Sequence, residues 1–211
     1  MKNFGKQYRG KHVRSHGFSM IELLAVMAVI LVVSAISTPS FMRAYQYYQV
    51  SNAATSMANV IKYTRYEAIR LNTPINCVIG PAPVGTIAWT DSNGNGVADN
   101  VEQQLTFSTA VTLLAPGNLP GGAVPGLVLA ANVGPLVPVS NTNAIVQFDQ
   151  RGAVNPPPAG ALVSFVGNTL VPGAGYRAII LLPSGSMQLW KRDADDTNNN
   201  NNHIGTWTII N

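Results

Sequence analysis

The chain has 211 residues, enough for one domain of ordinary size plus an anchor and too few for two large domains. Charged residues make up only 10% of it, and its net charge is +4. The first 17 residues hold five basic side chains and no acid; the remaining eight basic and nine acidic residues sum to −1. The basic character therefore belongs to the N-terminus, which argues against a nucleic-acid-binding surface on the rest of the protein.

An almost entirely apolar run of twenty residues extends from Phe18 to Ser37. As a helix it covers roughly 30 Å, the thickness of a hydrocarbon core. The basic residues before it predict a cytoplasmic N-terminus and an exported remainder. A cleaved secretory signal peptide, with a small-residue site at 33–35, is the competing interpretation. Glu22 weighs against that alternative, because an acid weakens the apolar region that the export machinery reads.

Glu22 needs an explanation of its own, since carboxylates are costly inside a membrane. Because Glu22 is near the cytoplasmic end, its side chain can reach the lipid headgroups when the subunit is alone in the membrane. Such snorkelling is one explanation of the charge. Once several helices pack and exclude water, the carboxylate needs a cation. Cleavage before Phe18 would create an α-amino group that is largely protonated at pH 7. The sequence therefore predicts a pairing between Glu22 and the new N-terminus of a neighbouring subunit.

The stretch GFSMIELL, residues 17–24, resembles the processing signal of type IV pilins and type II secretion pseudopilins. The resemblance implies a prepilin peptidase that cuts between Gly17 and Phe18, N-methylation of Phe18, and an assembly role for Glu22. It implies a protein anchored once in the bacterial inner membrane, with a periplasmic C-terminal domain, that enters a pseudopilus or pilus. Its partners would be other pseudopilins or pilins and, in a secretion system, exported cargo.

Helical spacing continues beyond Pro39, which is predicted to kink or locally melt the helix. Apolar residues recur on one face: Val50, Ala54, Met57, Ile61, Ala68 and Leu71. Asn72 is the predicted C-cap, and Pro74 prevents continuation. The predicted organisation is a leader over 1–17, a transmembrane helix over 18–38, an amphipathic helix over 39–72 and a β-rich domain over 73–211.

After the helix the sequence changes to short runs rich in Val, Ile, Thr and aromatic residues, separated by turn residues. The runs are 74–80, 86–90, 103–108, 126–131, 144–149, 161–167, 176–183, 186–191 and 205–211. Segments 116–126, 155–160 and 193–202 are predicted loops. The predicted fold class is α+β: a long N-terminal helix, half transmembrane and half amphipathic, packed on an antiparallel domain of seven to nine strands, with the pilin-like form that the resemblance implies.

Three further stretches resemble the GspH/FimT branch of pilin-like proteins, the H-type minor pseudopilins. They are YEAIRLNTPINCVI at 66–79, TDSNGNGVADNVEQQLTF at 90–107 and IVQFDQRGAV at 145–154, which contains Phe148 and Gly152. DNA-binding members of this branch carry an arginine-containing segment after a glycine near the C-terminus. Ser186 stands where that arginine is expected, so nucleic acid is not an expected partner.

The segment from Asp91 to Glu102 matches the calcium-loop pattern D-x-[DN]-x-[DN]-G-x₅-E. Calcium takes six to eight oxygens, at about 2.3–2.6 Å. The candidate ligands are Asp91, Asn93, Asn95, Asp99, Glu102 and the carbonyl of Val97. The flanking runs look like strands, whereas an EF-hand loop lies between helices. A plain polar hairpin loop is therefore the alternative.

Catalysis is not predicted. Cys77 is the single cysteine and is expected to be a buried structural thiol; His203, the one histidine after the leader, lies in an Asn-rich tract. The leading hypothesis is a minor pseudopilin with a structural and assembly role in type II secretion. The alternative is a minor type IV pilin that serves pilus assembly, adhesion or DNA uptake. A membrane-anchored enzyme is the third class, and it would depend on particular acids.

Overall fold

The computed structural model describes residues 18–82, 85–106, 108, 110–114, 134–138, 142–168, 175–192 and 207–210. The chain divides into two units, residues 1–41 and 42–211, and each is described by itself. One long helix, α1, extends over Met20–Leu71. Its first part belongs to the first unit, and the part from Met42 belongs to the second.

The predicted inward face of the second half of α1 is largely confirmed. Val50, Ala54, Met57, Ile61 and Ala68 are buried, together with Ala53, Ala58, Val60, Thr64 and Glu67. Leu71 was wrongly assigned to that face, since its side chain is 44% exposed. It is the last residue of α1, where the backbone turns away from the helix axis.

The end of α1 has the hydrogen bonds of a Schellman motif. Asn72 has a φ of 52°, which confirms it as the residue that closes the helix in a left-handed conformation. Its N–H donates to the carbonyl of Ile69, and the N–H of Thr73 donates to the carbonyl of Ala68, both at 3.3 Å. The last helical carbonyls thus find partners before the chain enters the first strand.

Two sheets account for the strands of the described residues. The first has the order β3-β2-β1-β6-β7 and is antiparallel throughout. Its strands are β1 Ile75–Ala82, β2 Gly85–Asp91, β3 Gln104–Thr106, β6 Ala144–Phe148 and β7 Val154–Asn155. The second has the order β11-β10-β9-β8-β4, and β5 pairs with β8 in parallel. Its strands are β4 Val111–Leu114, β5 Gly134–Pro135, β8 Leu162–Asn168, β9 Tyr176–Leu181, β10 Met187–Arg192 and β11 Thr208–Ile210.

The prediction of seven to nine antiparallel strands was therefore too low for the described residues and missed one parallel pairing. β4, β5 and β7 were overlooked because each has only two to four residues, too few to show an alternating pattern. The predicted strand at 126–131 and the predicted loops at 116–126 and 193–202 lie outside the described residues.

The main core of the second unit lies between α1 and both sheets. It contains Met57 and Ile61 from the helix, Phe148 from the first sheet, and Ile179 and Leu181 from the second. Alternate residues of the second sheet, such as Ile180, join a separate cluster around Trp207 on the other face. Burial on both faces explains why the run at 176–183 is almost continuously apolar. The predicted α+β class, a long helix packed on antiparallel sheet, is confirmed.

Candidate functional site

The predicted assembly residues lie at the start of α1, in the first unit. The carbonyl of Ser19 accepts the N–H groups of Glu22, at 3.0 Å, and Leu23, at 3.1 Å, which closes the first turn. Glu22 is thus in the first helical turn, where the positive end of the helix dipole favours a carboxylate. Ser19 and Glu22 also have the S-x-x-E spacing of a capping box. The helix dipole therefore stabilises the charge of Glu22 at this position, a local effect that the S-x-x-E spacing already indicates in the sequence.

The processing junction is only partly within the described residues. Gly17 lies outside them, whereas Phe18 is described and its side chain is 81% exposed. Cleavage after Gly17 and methylation of Phe18 therefore remain predictions. The exposure of Phe18 places the residue that would become the new N-terminus where a partner can reach it.

The apolar side chains that follow Phe18 are exposed as a group. The large ones are Met20, Ile21, Leu23, Leu24, Val26, Met27, Val29, Ile30, Leu31, Val32, Val33 and Ile36, and all are at least half exposed. So much exposed apolar surface needs lipid or another protein to cover it. By length and composition, α1 is able to cross a membrane. Glu22 is the one ionisable side chain between Phe18 and Met42.

Two hydroxyl groups near the C-terminal end of this apolar segment donate to backbone carbonyls of the helix. The hydroxyl of Ser34 donates to the carbonyl of Ile30, and that of Thr38 donates to the carbonyl of Ser34, each at 2.7 Å. Such bonds let serine and threonine lie in lipid, and they tend to bend helices. Pro39 follows directly, and α1 is assigned as helix through it, so the helix does not melt there. A kink at Pro39 remains a prediction.

The loop after β2, which carries the predicted calcium ligands, is closed by its two end carboxylates. Asp91 is 3% exposed and its Oδ2 accepts the N–H of Gly96 at 3.2 Å. Glu102 is also buried: its Oε1 accepts the N–H of Ser92 at 2.9 Å, and its Oε2 accepts the N–H of Asp99 at 3.2 Å. Glu102 thus joins the two ends of the loop.

Amide side chains organise the exposed part of the same loop. The amide nitrogens of Asn93 and Asn95 both donate to Oδ2 of Asp99 at 2.8 Å. Their oxygens accept backbone N–H groups, Asn93 from Asn95 and Asn95 from Val97. Five of the six predicted ligand residues therefore belong to one hydrogen-bond network, with Asp99 at its centre. The sixth, Asp91, contacts the same loop through Gly96. Within the described residues, no group of three or more His, Cys, Asp and Glu side chains is arranged to hold a metal ion.

Cys77 is buried in β1, as predicted. Burial raises the pKa of its thiol to about 12, against a smaller opposite effect of a hydrogen bond with Thr64. A thiol with so high a pKa has almost no thiolate at neutral pH, and the thiolate is the nucleophilic form. Cys77 is therefore a packing residue.

Two contacts made by charged side chains in the second unit were not predicted from the sequence. Glu67 is buried on α1 and accepts from Arg70, whose Nη2 and Nε lie 2.6 and 2.9 Å from Oε2; this bond lowers the pKa of the Glu67 carboxyl. Arg177 of β9 is almost fully buried, and its guanidinium lies over the ring of Tyr47, 4.3 Å from the centroid. The i, i+3 spacing of the first pair is visible in the sequence, whereas the second contact joins residues far apart in the chain.

Comparison with known proteins identifies the N-terminal segment. Residues 13–38 match the family model for the prokaryotic N-terminal methylation motif. That match covers the Gly17–Phe18 junction and Glu22. The chain therefore carries a methylation motif of this kind at its N-terminus. It combines this motif with one long helix that packs on antiparallel sheet.

Among solved structures, this chain is similar to two crystal forms of the type IV minor pilin FimU of Pseudomonas aeruginosa, strain PAO1. The two matches are each 14% identical, have TM-scores of 0.44 and 0.45, and cover 66% and 67% of this chain and 90% and 88% of the other. No curated protein matches the chain significantly.

Proposed function

We propose that this pilin-like chain is a minor pseudopilin of a type II secretion system, of the GspH/FimT kind. In this proposal the segment 18–38 anchors it in the inner membrane, the domain after residue 72 lies in the periplasm, and the processed subunit enters the pseudopilus. The observation that carries the proposal is the position of Glu22: a single carboxylate in the first turn of an exposed apolar helix, inside a processing motif.

Physical reasoning connects that position to assembly. In a lone subunit the carboxylate lies at the helix start, where the dipole and the interface stabilise it. Between packed helices it loses water and needs a cation within a few ångströms. The segment from Phe18 to Met42 contains no basic side chain, so no side chain of the packed helices supplies the positive charge. The α-amino group of a processed neighbour supplies it, and the pairing also sets the axial offset between subunits.

The chemistry of the second unit supports a structural role. Its buried thiol is unreactive, and the carboxylate of Glu67 is committed to its bond with Arg70. The apolar face of α1 from Val50 to Ala68 packs on the unit's own sheets. The exposed tyrosines at 45, 48, 63 and 66 lie on the outward side of the same helix and are available to neighbouring subunits.

The deciding experiment is mass spectrometry of the N-terminal peptide after extraction from membranes. The expected peptide begins at Phe18 and carries one additional methyl group on its α-amino nitrogen. A strain without prepilin peptidase is the control and should yield the unprocessed chain. A native N-terminus at Met1, or one near Ile36 as a secretory signal peptide would leave, would refute the proposal.

Deletion of the gene distinguishes the two assemblies. A pseudopilin mutant should lose export of secreted proteins and keep its surface pili. Complementation with the wild-type chain should restore export. Loss of pili or adhesion with intact export would instead assign the chain to a type IV pilus, as a minor pilin.

A further inference from the structure

The loop between β2 and β3 contains a buried carboxylate oxygen that has no hydrogen-bond partner among the described residues. Asp91 is 3% exposed, and while its Oδ2 accepts from the N–H of Gly96, its Oδ1 is fully inaccessible and makes no hydrogen bond. Within the described part of the chain no ion pair to Asp91 is present either. Buried carboxylates normally have a hydrogen bond or a cation at each oxygen, because leaving one unsatisfied costs considerable free energy. The orphaned oxygen therefore points to a ligand at this loop.

The remainder of the loop supplies oxygens of the right kind around that carboxylate. The bond from the N–H of Gly96 holds Oδ2 of Asp91 against the loop backbone, and Glu102 holds the loop ends together through Ser92 and Asp99. Among the described residues, the carboxylate of Asp99 accepts hydrogen bonds from two neutral amides, those of Asn93 and Asn95. A cation would replace these two donors at Asp99 and leave the amides free to turn their oxygens inward.

We propose that the loop from Asp91 to Glu102 binds one calcium ion. The carboxylates of Asp91, Asp99 and Glu102, the amide oxygens of Asn93 and Asn95, and the carbonyl of Val97 are its ligands. Carboxylate, amide and carbonyl oxygens in a flexible loop suit calcium, which accepts irregular geometry, better than magnesium, which requires a near-ideal octahedron. Since no three acidic side chains converge in the described residues, binding includes a closure that brings Asp99 towards Asp91. The site is independent of the assembly role proposed for Glu22.

The test uses the full-length chain in detergent micelles. Terbium, which occupies calcium sites, is titrated with excitation of tryptophan, because Trp89 precedes Asp91 by two residues and can transfer energy to a bound ion. Sensitised emission should appear and be displaced by calcium. At ten times its dissociation constant, calcium should raise the melting temperature by about 3–6 °C relative to chelator. The expected dissociation constant is about 10⁻⁴–10⁻³ M, as in extracellular calcium modules.

Variants localise the effect. Asp91→Asn should abolish the calcium-dependent rise, and without calcium it should melt no lower than wild type, because it removes an unpaired charge. Asp99→Asn, in the accessible part of the loop, should weaken binding at least tenfold. Asp149→Asn is the matched control: that aspartate accepts two backbone N–H groups in a different turn, and its variant should bind calcium normally.

Three results would overturn the proposal. They are a wild-type melting curve that is the same in calcium and chelator, a full calcium response in Asp91→Asn, and an equal response of the wild type to magnesium. If Asp91→Asn does not fold, unchanged binding by Asp99→Asn is sufficient to reject the site.

Discussion

The hydroxyl oxygens of Thr64 in α1 and Thr90 in β2 lie 2.7 Å apart in a buried contact between the helix and the first sheet. The hydroxyl of Thr64 also donates to the carbonyl of Val60, at 2.9 Å. A hydroxyl has one proton to give, so Thr90 is the donor in the contact between the two side chains. This pair is a directional link in an otherwise apolar interface.

Replacing Thr64 alone should destabilise the protein more than replacing both members of the pair. Thr64→Val keeps the shape of the side chain but leaves the buried Thr90 hydroxyl without its acceptor, which should cost about 1–3 kcal/mol of unfolding free energy. In the double variant Thr64→Val, Thr90→Val no unsatisfied group remains, and part of the loss should be recovered. Chemical denaturation of the four proteins in the cycle measures the coupling. Strictly additive losses would show that the hydrogen bond does not couple the two elements.

Glu22→Gln removes the charge at the helix start and keeps the size of the side chain. Glutamine cannot form an ion pair with an α-amino group. We expect normal insertion and processing, and a more than tenfold decrease in incorporation into the fibre. The reason is that the α-amino group of the neighbouring subunit would be buried without its anion, which costs about 3–5 kcal/mol. Glu22→Val should behave in the same way.

Ser19→Ala is the matched control for Glu22→Gln. It weakens the N-cap by about 1 kcal/mol but keeps the charge, so its incorporation should remain close to wild type. Incorporation is measured by cross-linking and shearing of fibres from cells. Wild-type assembly by Glu22→Gln would eliminate the proposed charge pairing.

The thiol of Cys77 predicts a specific dependence of stability on alkaline pH. Its pKa is raised to about 12 in the folded protein from 9.0. The unfolded chain therefore ionises first, so stability is unaffected below pH 9 and falls as the pH rises from about 9 towards 12. The slope due to this one group is about 1 kcal/mol per pH unit. Denaturation of wild type and of Cys77→Ala between pH 8 and 11 isolates the contribution of the thiol, since the other titrating groups are common to both proteins. Equal pH dependence of the unfolding free energy in the two proteins would contradict the raised pKa of Cys77.

Gly185 and Gly94 allow steric clash to be separated from backbone strain. Both have a φ of 75°, which disfavours any side chain with a Cβ. A Cβ at Gly94 would meet no atom within 4 Å, whereas one at Gly185 would collide with the carbonyl oxygen of Gly152. Gly94→Ala should therefore cost roughly 1–2 kcal/mol of stability. Gly185→Ala should cost more than twice that, as measured by thermal unfolding in chelator. Similar losses of stability in the two variants would mean that the turn at Gly152 can shift to accommodate the new methyl group at little cost.

Elements in which an apolar repeat continues over many residues, or which end at a residue type with a characteristic backbone conformation, were predictable. The second half of the helix repeats its apolar residues from Val50 to Ala68, for about five turns, and Asn72 is a residue type that tolerates a positive φ, so this face and the end of α1 were predictable. The short strands β5 and β7 could not be predicted, because two residues have no period. Leu71 was assigned to the core because spacing describes a helix face and not the point at which the chain leaves it.

The same distinction holds for the candidate sites: features that depend on neighbouring residues were predictable, and contacts between distant segments were not. The order of residues by itself determined the processing motif, the isolated charge of Glu22 and the D-x-[DN]-x-[DN]-G pattern, because each depends on neighbours a few positions apart along one backbone. Only the tertiary structure decided that Oδ1 of Asp91 is buried without a partner, that Thr64 meets Thr90, and that Arg177 lies over Tyr47. Those facts depend on which strands become neighbours, and strand pairing joins positions whose separation along the chain contains no local signal.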